Sequence, residues 1–156
     1  MKEITGAGHY GFLIEVTAKR IKQSLQKRLS AQNIDLTVDQ WVVLDHLTKY
    51  DGISQNALCD KIFKDPPTVT RIVDILCKKN LIERKNDLND RRRFNLFMKT
   101  EGHDMVKKAY PEVLATRKMG WNDLSTSDYQ HLVRILSTIN RNFENHTFFA
   151  NGLDVQ

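Results

Sequence analysis

Asp65-Pro66-Pro67 lies between two apolar periodic stretches and leaves the chain one economical option there, a helix that begins at Pro66. Aspartate is a favoured N-cap, and proline suits the first helical position because the N–H it lacks would have no partner anyway. Val69, Ile72, Val73 and Leu76 follow the i, i+3, i+4, i+7 rule and predict the buried face of that helix. Thr68, Thr70, Arg71, Asp74 and Lys78 fall on its other faces. Asn80 can take the left-handed conformation that closes a helix. A shorter helix, roughly Ser54 to Phe63, precedes it, capped by the Ser54 hydroxyl and with Leu58 and Ile62 inward. The gap between the two is two or three residues, which makes the pair a helix-turn-helix.

The flanking segments extend this unit. Tyr10 to Gln32 carries Ile14, Ala18, Ile21, Leu25 and Leu29 at helical spacing, a stripe whose partner surface need not lie in the same chain. Thr37 to Gln40 reads as a capping box, and Trp41, Leu44 and Leu47, with Val42 or Val43, form the core face of a second helix that ends at Asp51-Gly52. Ile53 makes a short extended bridge to Ser54. After the helix-turn-helix, Leu81 to Lys85 and Phe94 to Met98 predict two strands around a loop from Asn86 to Arg93. A fifth helix runs from about Thr100 to Met119, broken or bent at Pro111. A last one opens at Ser125-Thr126-Ser127-Asp128 and repeats Leu132, Leu136, Ile139 and Phe143, with Phe148 and Phe149 apolar enough to dock. The expected fold is mostly α with a small β-hairpin wing: a winged helix-turn-helix flanked by N- and C-terminal dimerisation helices.

The chain of 156 residues is long enough for one domain with helical extensions. We divide it into a winged-helix lobe at 37–99 and a helical lobe formed by 1–36 and 100–156. Its 40% hydrophobic and 28% charged residues belong to a soluble helical protein. No apolar run approaches the ~20 residues that span a bilayer, and the N-terminus lacks a signal-peptide pattern, so a cytoplasmic protein without a membrane partner is expected.

Charge then points to a partner. From Lys78 to Lys99 eight basic residues face three acidic ones, an excess equal to the net charge of the whole chain, +5. The surplus culminates in Asp90-Arg91-Arg92-Arg93 at the hairpin tip. Such concentration is costly unless something negative binds there, and a duplex groove fits a narrow hairpin.

Five blocks of sequence, in order, resemble the MarR family of winged-helix regulators: Leu36-Thr37 with Gln40-Trp41 and Val43-Leu44; Gly52 with Ser54-Gln55; Thr68 to Asp74; Leu81 to Arg84; and Asn89 to Arg93. The resemblance covers nearly the whole chain. It implies a homodimer whose terminal helices pack together, with each winged helix reading half of a pseudo-palindromic operator in double-stranded DNA. The helix from Pro66 would enter the major groove and the wing the minor groove. By the same match Asp90 holds Arg92 as minor-groove probe, while Arg91 and Arg93 suit phosphates. The resemblance also implies a small aromatic or phenolic effector in a crevice lined by Tyr10 and Phe12, with Trp41 as a weaker lining residue and primarily a core one. Three features depart from the family pattern. Pro66-Pro67 replaces a Lys-Ala pair, Met98-Lys99-Thr100-Glu101-Gly102 replaces Leu-Thr-x-x-Gly, and the first helix lacks the cysteine of the peroxide-sensing branch.

The candidate DNA-binding residues are thus Ser54, Gln55, Asn56, Pro67, Thr68, Thr70, Arg71, Asp90, Arg91, Arg92 and Arg93. Ser54 is first a cap; Gln55 and Asn56 are phosphate donors at the same helix start. The residues supply no glycine-rich phosphate loop, no nucleophile elbow and no Cys-His pair by motif, so we expect no catalysis. His9, His46, His103, His131 and His146 show no metal-ligand spacing, and neither a metal nor a cofactor is expected. Cys59 and Cys77 read as buried free thiols; of the two, Cys77 is the better redox candidate because Lys78 and Lys79 beside it could lower its pKa. The reading is therefore a DNA-binding transcription regulator, a dimeric repressor released by an effector. The alternative is a winged helix that sets its basic wing against an acidic protein.

Overall fold

A computed structural model describes residues 9–87, 90 and 93–150, with the backbone alone over 145–150. Within them the chain forms α1 (Tyr10–Ala31), α2 (Val38–Leu47), β1 (Ile53–Ser54), α3 (Gln55–Ile62), α4 (Pro66–Lys78), β2 (Ile82–Asn86), β3 (Phe94–Met98), α5 (Thr100–Gly120) and α6 (Thr126–Ala150). The described residues divide into two compact units, the first ending at Gly120 and the second beginning at Trp121.

The first unit is organised around α2, which packs on α1, α3, α4, α5 and β3. Its start is the expected capping box: the Gln40 N–H donates to Thr37 Oγ1 and the Thr37 N–H to Gln40 Oε1, each at 3.2 Å. Trp41, Val43, Leu44 and Leu47 are buried, while Val42 is only partly so, which decides between the two valines. Val69, Ile72, Val73 and Leu76 of α4 are all buried against this core, as the spacing predicts. Asp65 caps α4 by accepting from the Thr68 N–H at 2.9 Å, and Pro66 opens it. The start of α4 and its core face thus come from one short motif.

The α3–α4 turn carries a conformational cost. Phe63 ends α3 at φ +51°, in the left-handed region that costs a side-chain-bearing residue roughly 1–2 kcal/mol. The ring is 87% exposed and so recovers little by packing. Phe63→Gly should therefore raise the unfolding free energy by about 0.5–1 kcal/mol, read as a higher denaturant midpoint. A lowered midpoint would mean that the ring is held by contacts the single chain lacks.

The wing is a three-stranded antiparallel sheet in the order β1-β3-β2 rather than a bare hairpin. Ile53 pairs with Leu96 and Ser54 with Asn95, so the expected bridge at Ile53 is an edge strand. On the other side Ile82 pairs with Met98, Arg84 with Leu96 and Asn86 with Phe94. Gly52, at φ +80°, permits this pairing: its N–H donates to the Leu96 carbonyl at 2.8 Å while the Phe97 ring closes over it. Because Ser54 both ends β1 and caps α3, the wing and the helix-turn-helix are joined through one residue. Of the alternating strand positions Leu96 and Met98 point inward, but Phe94, at the tip end, is 44% exposed.

The fifth helix is continuous from Thr100 to Gly120, so it is not broken at Pro111. Pro111 and Lys107, whose carbonyl loses its helical donor, are both exposed, and water can replace that bond. The α5 helix packs along α1, where Arg28 Nε lies 3.0 Å from Glu112 Oε2. In the second unit Ser125 and Asp128 cap α6 reciprocally: the Ser125 N–H donates to Asp128 Oδ2 at 2.8 Å and the Asp128 N–H to Ser125 Oγ at 3.2 Å. Trp121 meets Tyr129 edge to face at 5.6 Å. Along the predicted α6 stripe Leu132 and Phe143 are exposed, with Leu136 and Ile139 half-buried. The expected docking of Phe148 and Phe149 lies outside the described side chains.

Candidate nucleic-acid interface

The end of β1, the start of α3 and the tip end of β3 meet at one cleft. The Ser54 hydroxyl accepts from the Ala57 N–H at 3.2 Å, fixing the start of α3. Ser54, Gln55 and Asn56 there line a cleft of about 240 Å³ whose opposite wall is Arg93 and Phe94 of the wing. A helix start beside an arginine is suited to a phosphate oxygen.

On α4, Pro67, Thr70 and Arg71 are exposed and Thr68 is half-buried. Thr68 is committed locally: both its N–H and its hydroxyl donate to the Asp65 carboxylate, at 2.9 and 2.8 Å. Those hydrogen bonds hold the Asp65 carboxyl below the usual range. Thr70 Oγ1 donates to the Pro66 carbonyl and accepts from Gln55 Nε2, each at 2.9 Å. Arg84 of β2, paired with Asp74, donates from Nη2 to Gln55 Oε1 at 3.3 Å. The sequence pattern gives Arg84 no part in the site and does not connect Gln55 with Thr70. Only a pairing between residues fifteen apart could have shown their link.

The wing tip is organised by Asp87, another residue outside the expected site. Its Oδ1 accepts from the Asp90 N–H at 3.1 Å and its Oδ2 from the Asn95 side chain at 3.1 Å, while its own N–H donates to the Arg93 carbonyl at 2.9 Å. Asn86-Asp87 directly after a strand is the signal that could have found it, since aspartate side chains close turns on nearby backbone N–H groups. Asp90 Oδ2 lies 3.4 Å from Arg93 Nε. Arg91 and Arg92 lie outside the described residues, so the expected Asp90–Arg92 pairing does too.

Of the residues linked to an effector crevice, Trp41 is 4% exposed within the core, whereas Tyr10 and Phe12 stand exposed at 43% and 65% on the first turn of α1. Cys59 is buried as expected, whereas Cys77 is only half-buried. Burial pushes the Cys77 thiol above its ordinary value, outweighing the lowering by Arg84, so the activation expected from Lys78 and Lys79 does not occur. Lys79 is turned away to Asp35, 2.9 Å from its carboxylate. Burial raises Cys59 as well. Among the described residues no group of histidine, cysteine or carboxylate side chains could hold a metal ion, and no helix is long and apolar enough to cross a membrane.

Comparison with known proteins places this geometry. The model of the MarR family matches residues 36–94, which run from just before α2 to the first residue of β3. The transcriptional repressor MdtR of Bacillus subtilis is 31% identical over 107 residues, covering 67% of this chain and 66% of MdtR. Among solved structures, a complex of MepR from S. aureus with DNA superposes with a TM-score of 0.78 at 24% identity, over 85% of this chain and 97% of MepR. A mutant of MarR from E. coli complexed with operator DNA gives 0.76 at 23% identity, over 83% and 91%. From the second helix to the wing, and in overall architecture, the chain belongs to the MarR family.

Proposed function

We propose that this chain is a sequence-specific transcription regulator that binds a pseudo-palindromic operator in duplex DNA as a homodimer and acts as a cytoplasmic repressor, released by a small aromatic effector. The observation that carries the reading is the cleft between the α3 start and the arginine-bearing end of the wing, to which the exposed face of α4 is tied by the Gln55–Thr70 hydrogen bond. Phosphate-directed groups and base-directed groups then share one docking surface. The repressor MdtR and the DNA-bound MepR and MarR structures support it. Residues 37–99 form the DNA-binding lobe and residues 1–36 with 100–156 the dimerisation lobe. Exposed apolar side chains on their helices favour that division: Phe12 at 65% and Ile21 at 54% on α1, Phe143 at 60% on α6.

A gel shift against the upstream region of the protein's own gene tests the proposal. Affinity should fall steeply with salt, with a log–log slope of about 0.9 per phosphate neutralised. Arg92→Ala should lose about 1–3 kcal/mol of binding, the usual worth of a specific groove contact. Absence of a shift at low salt would instead favour a protein partner for the basic wing, and unchanged affinity in Arg92→Ala would remove that arginine from the interface.

A further inference from the structure

The hydrogen bonds linking β2, α3 and α4 run in one direction only. A guanidinium donates and never accepts, so Arg84 Nη2, 3.3 Å from the Gln55 amide, must face its carbonyl oxygen. That turns the Gln55 NH₂ group toward Thr70, which accepts at 2.9 Å. Thr70 must then send its own proton elsewhere, and it goes to the Pro66 carbonyl at 2.9 Å, an atom that can only accept. With a donor-only group at one end and an acceptor-only group at the other, no member can reverse without breaking a bond. Asp74, paired with Arg84, holds the donor end in place.

Among the described residues this leaves one N–H on Gln55 and one lone pair on Thr70 Oγ1, a donor and an acceptor 2.9 Å apart, with Thr70 exposed on α4. Major-groove edges differ in what they offer such a pair. Guanine presents two acceptors, cytosine one donor, thymine one acceptor and a methyl group; adenine alone presents an acceptor, N7, beside a donor, the N6 amino group. We infer that Gln55 and Thr70 together form an adenine reader, with Arg84 the positioning residue that fixes its polarity. The inference rests on the DNA-binding function proposed above and adds the base that this pair selects.

Selection of bound sites from random duplexes, with the full chain, tests it. The wild type should enrich a motif with an adenine in each half-site. Thr70→Val, which keeps the shape and loses the acceptor, should lose preference at that one position and keep the rest of the motif. Thr70→Ser should restore the preference. Gln55→Glu replaces the donor with an acceptor, and the same position should move from adenine to cytosine, whose amino group is then the matched partner. On the selected site, replacing that adenine with unsubstituted purine, which lacks the amino group, should weaken wild-type binding about tenfold and leave Thr70→Val unaffected. Melting curves of each variant separate lost recognition from lost folding. A motif that survives unchanged in Thr70→Val and Gln55→Glu overturns the inference, whereas failure of the wild type to enrich any motif overturns the regulator reading itself.

Discussion

Gly102→Ala is expected to destabilise the chain by about 3 kcal/mol, at the upper end of what overpacking costs. A Cβ on Gly102 would sit 2.2 Å from the Leu81 carbonyl oxygen and 2.7 Å from Met98 Sδ. The methionine could yield, because its side chain is flexible. The carbonyl could not: Leu81 is 3% exposed, and its oxygen accepts the Lys99 N–H at 3.0 Å, the bond that turns the chain from β3 into α5. The added methyl must therefore push the first turn of α5 away from the wing or break that junction. Chemical denaturation should show a lower midpoint with an unchanged slope. Gly11→Ala is the control, since a Cβ there meets nothing within 4 Å and should do no harm. A loss below about 1 kcal/mol at Gly102 would mean that α5 and the wing are not tightly joined.

The same glycine marks a boundary of what sequence could convey. The resemblance flagged Gly102 by position, but the reason for it is an approach between segments twenty-one residues apart, which no local pattern encodes. Local chemistry was readable where it acts locally. The Thr37–Gln40 box, the Asp65-Pro66 start and the inward face of α4 each depend on residues within a turn or two, and each forms as expected. Long-range pairings stayed hidden. Two residues cannot display a strand period, so Ile53–Ser54 read as a bridge and not as the third strand. Charge counts placed the cationic surplus on the wing but could not distinguish Arg84, which is consumed by Asp74 and Gln55, from arginines aimed outward. At Cys77 neighbours in sequence misled for a related reason: Lys79 bends back to Asp35, and burial decides the thiol.

The α1 stripe divides in a way that yields the second large effect. Ile14, Ala18, Ile21, Leu25 and Leu29 share one helical period, yet Leu25 and Leu29 are 7% and 0% exposed while Ile14 and Ile21 are 40% and 54% exposed. One sequence pattern therefore serves two surfaces: its C-terminal part seals the core beneath α2 and α5, and its N-terminal part stays open in the single chain. Leu29→Ala should cost about 3 kcal/mol, transfer of the lost methyl groups plus the cavity left behind, and the loss should be the same at every protein concentration. Ile21→Ser removes nothing from that core. Its effect should appear through association, as a fall in thermal midpoint that grows on dilution and a shift of solution mass from dimer toward monomer. Burying one isoleucine on each of two chains is worth roughly 1.5–3 kcal/mol per side chain, so the dimer should weaken on the order of a hundredfold or more. A dimer of unchanged affinity in Ile21→Ser would assign the exposed half of α1 some partner other than a second copy, and a concentration-dependent loss in Leu29→Ala would mean that the core itself is completed only on association.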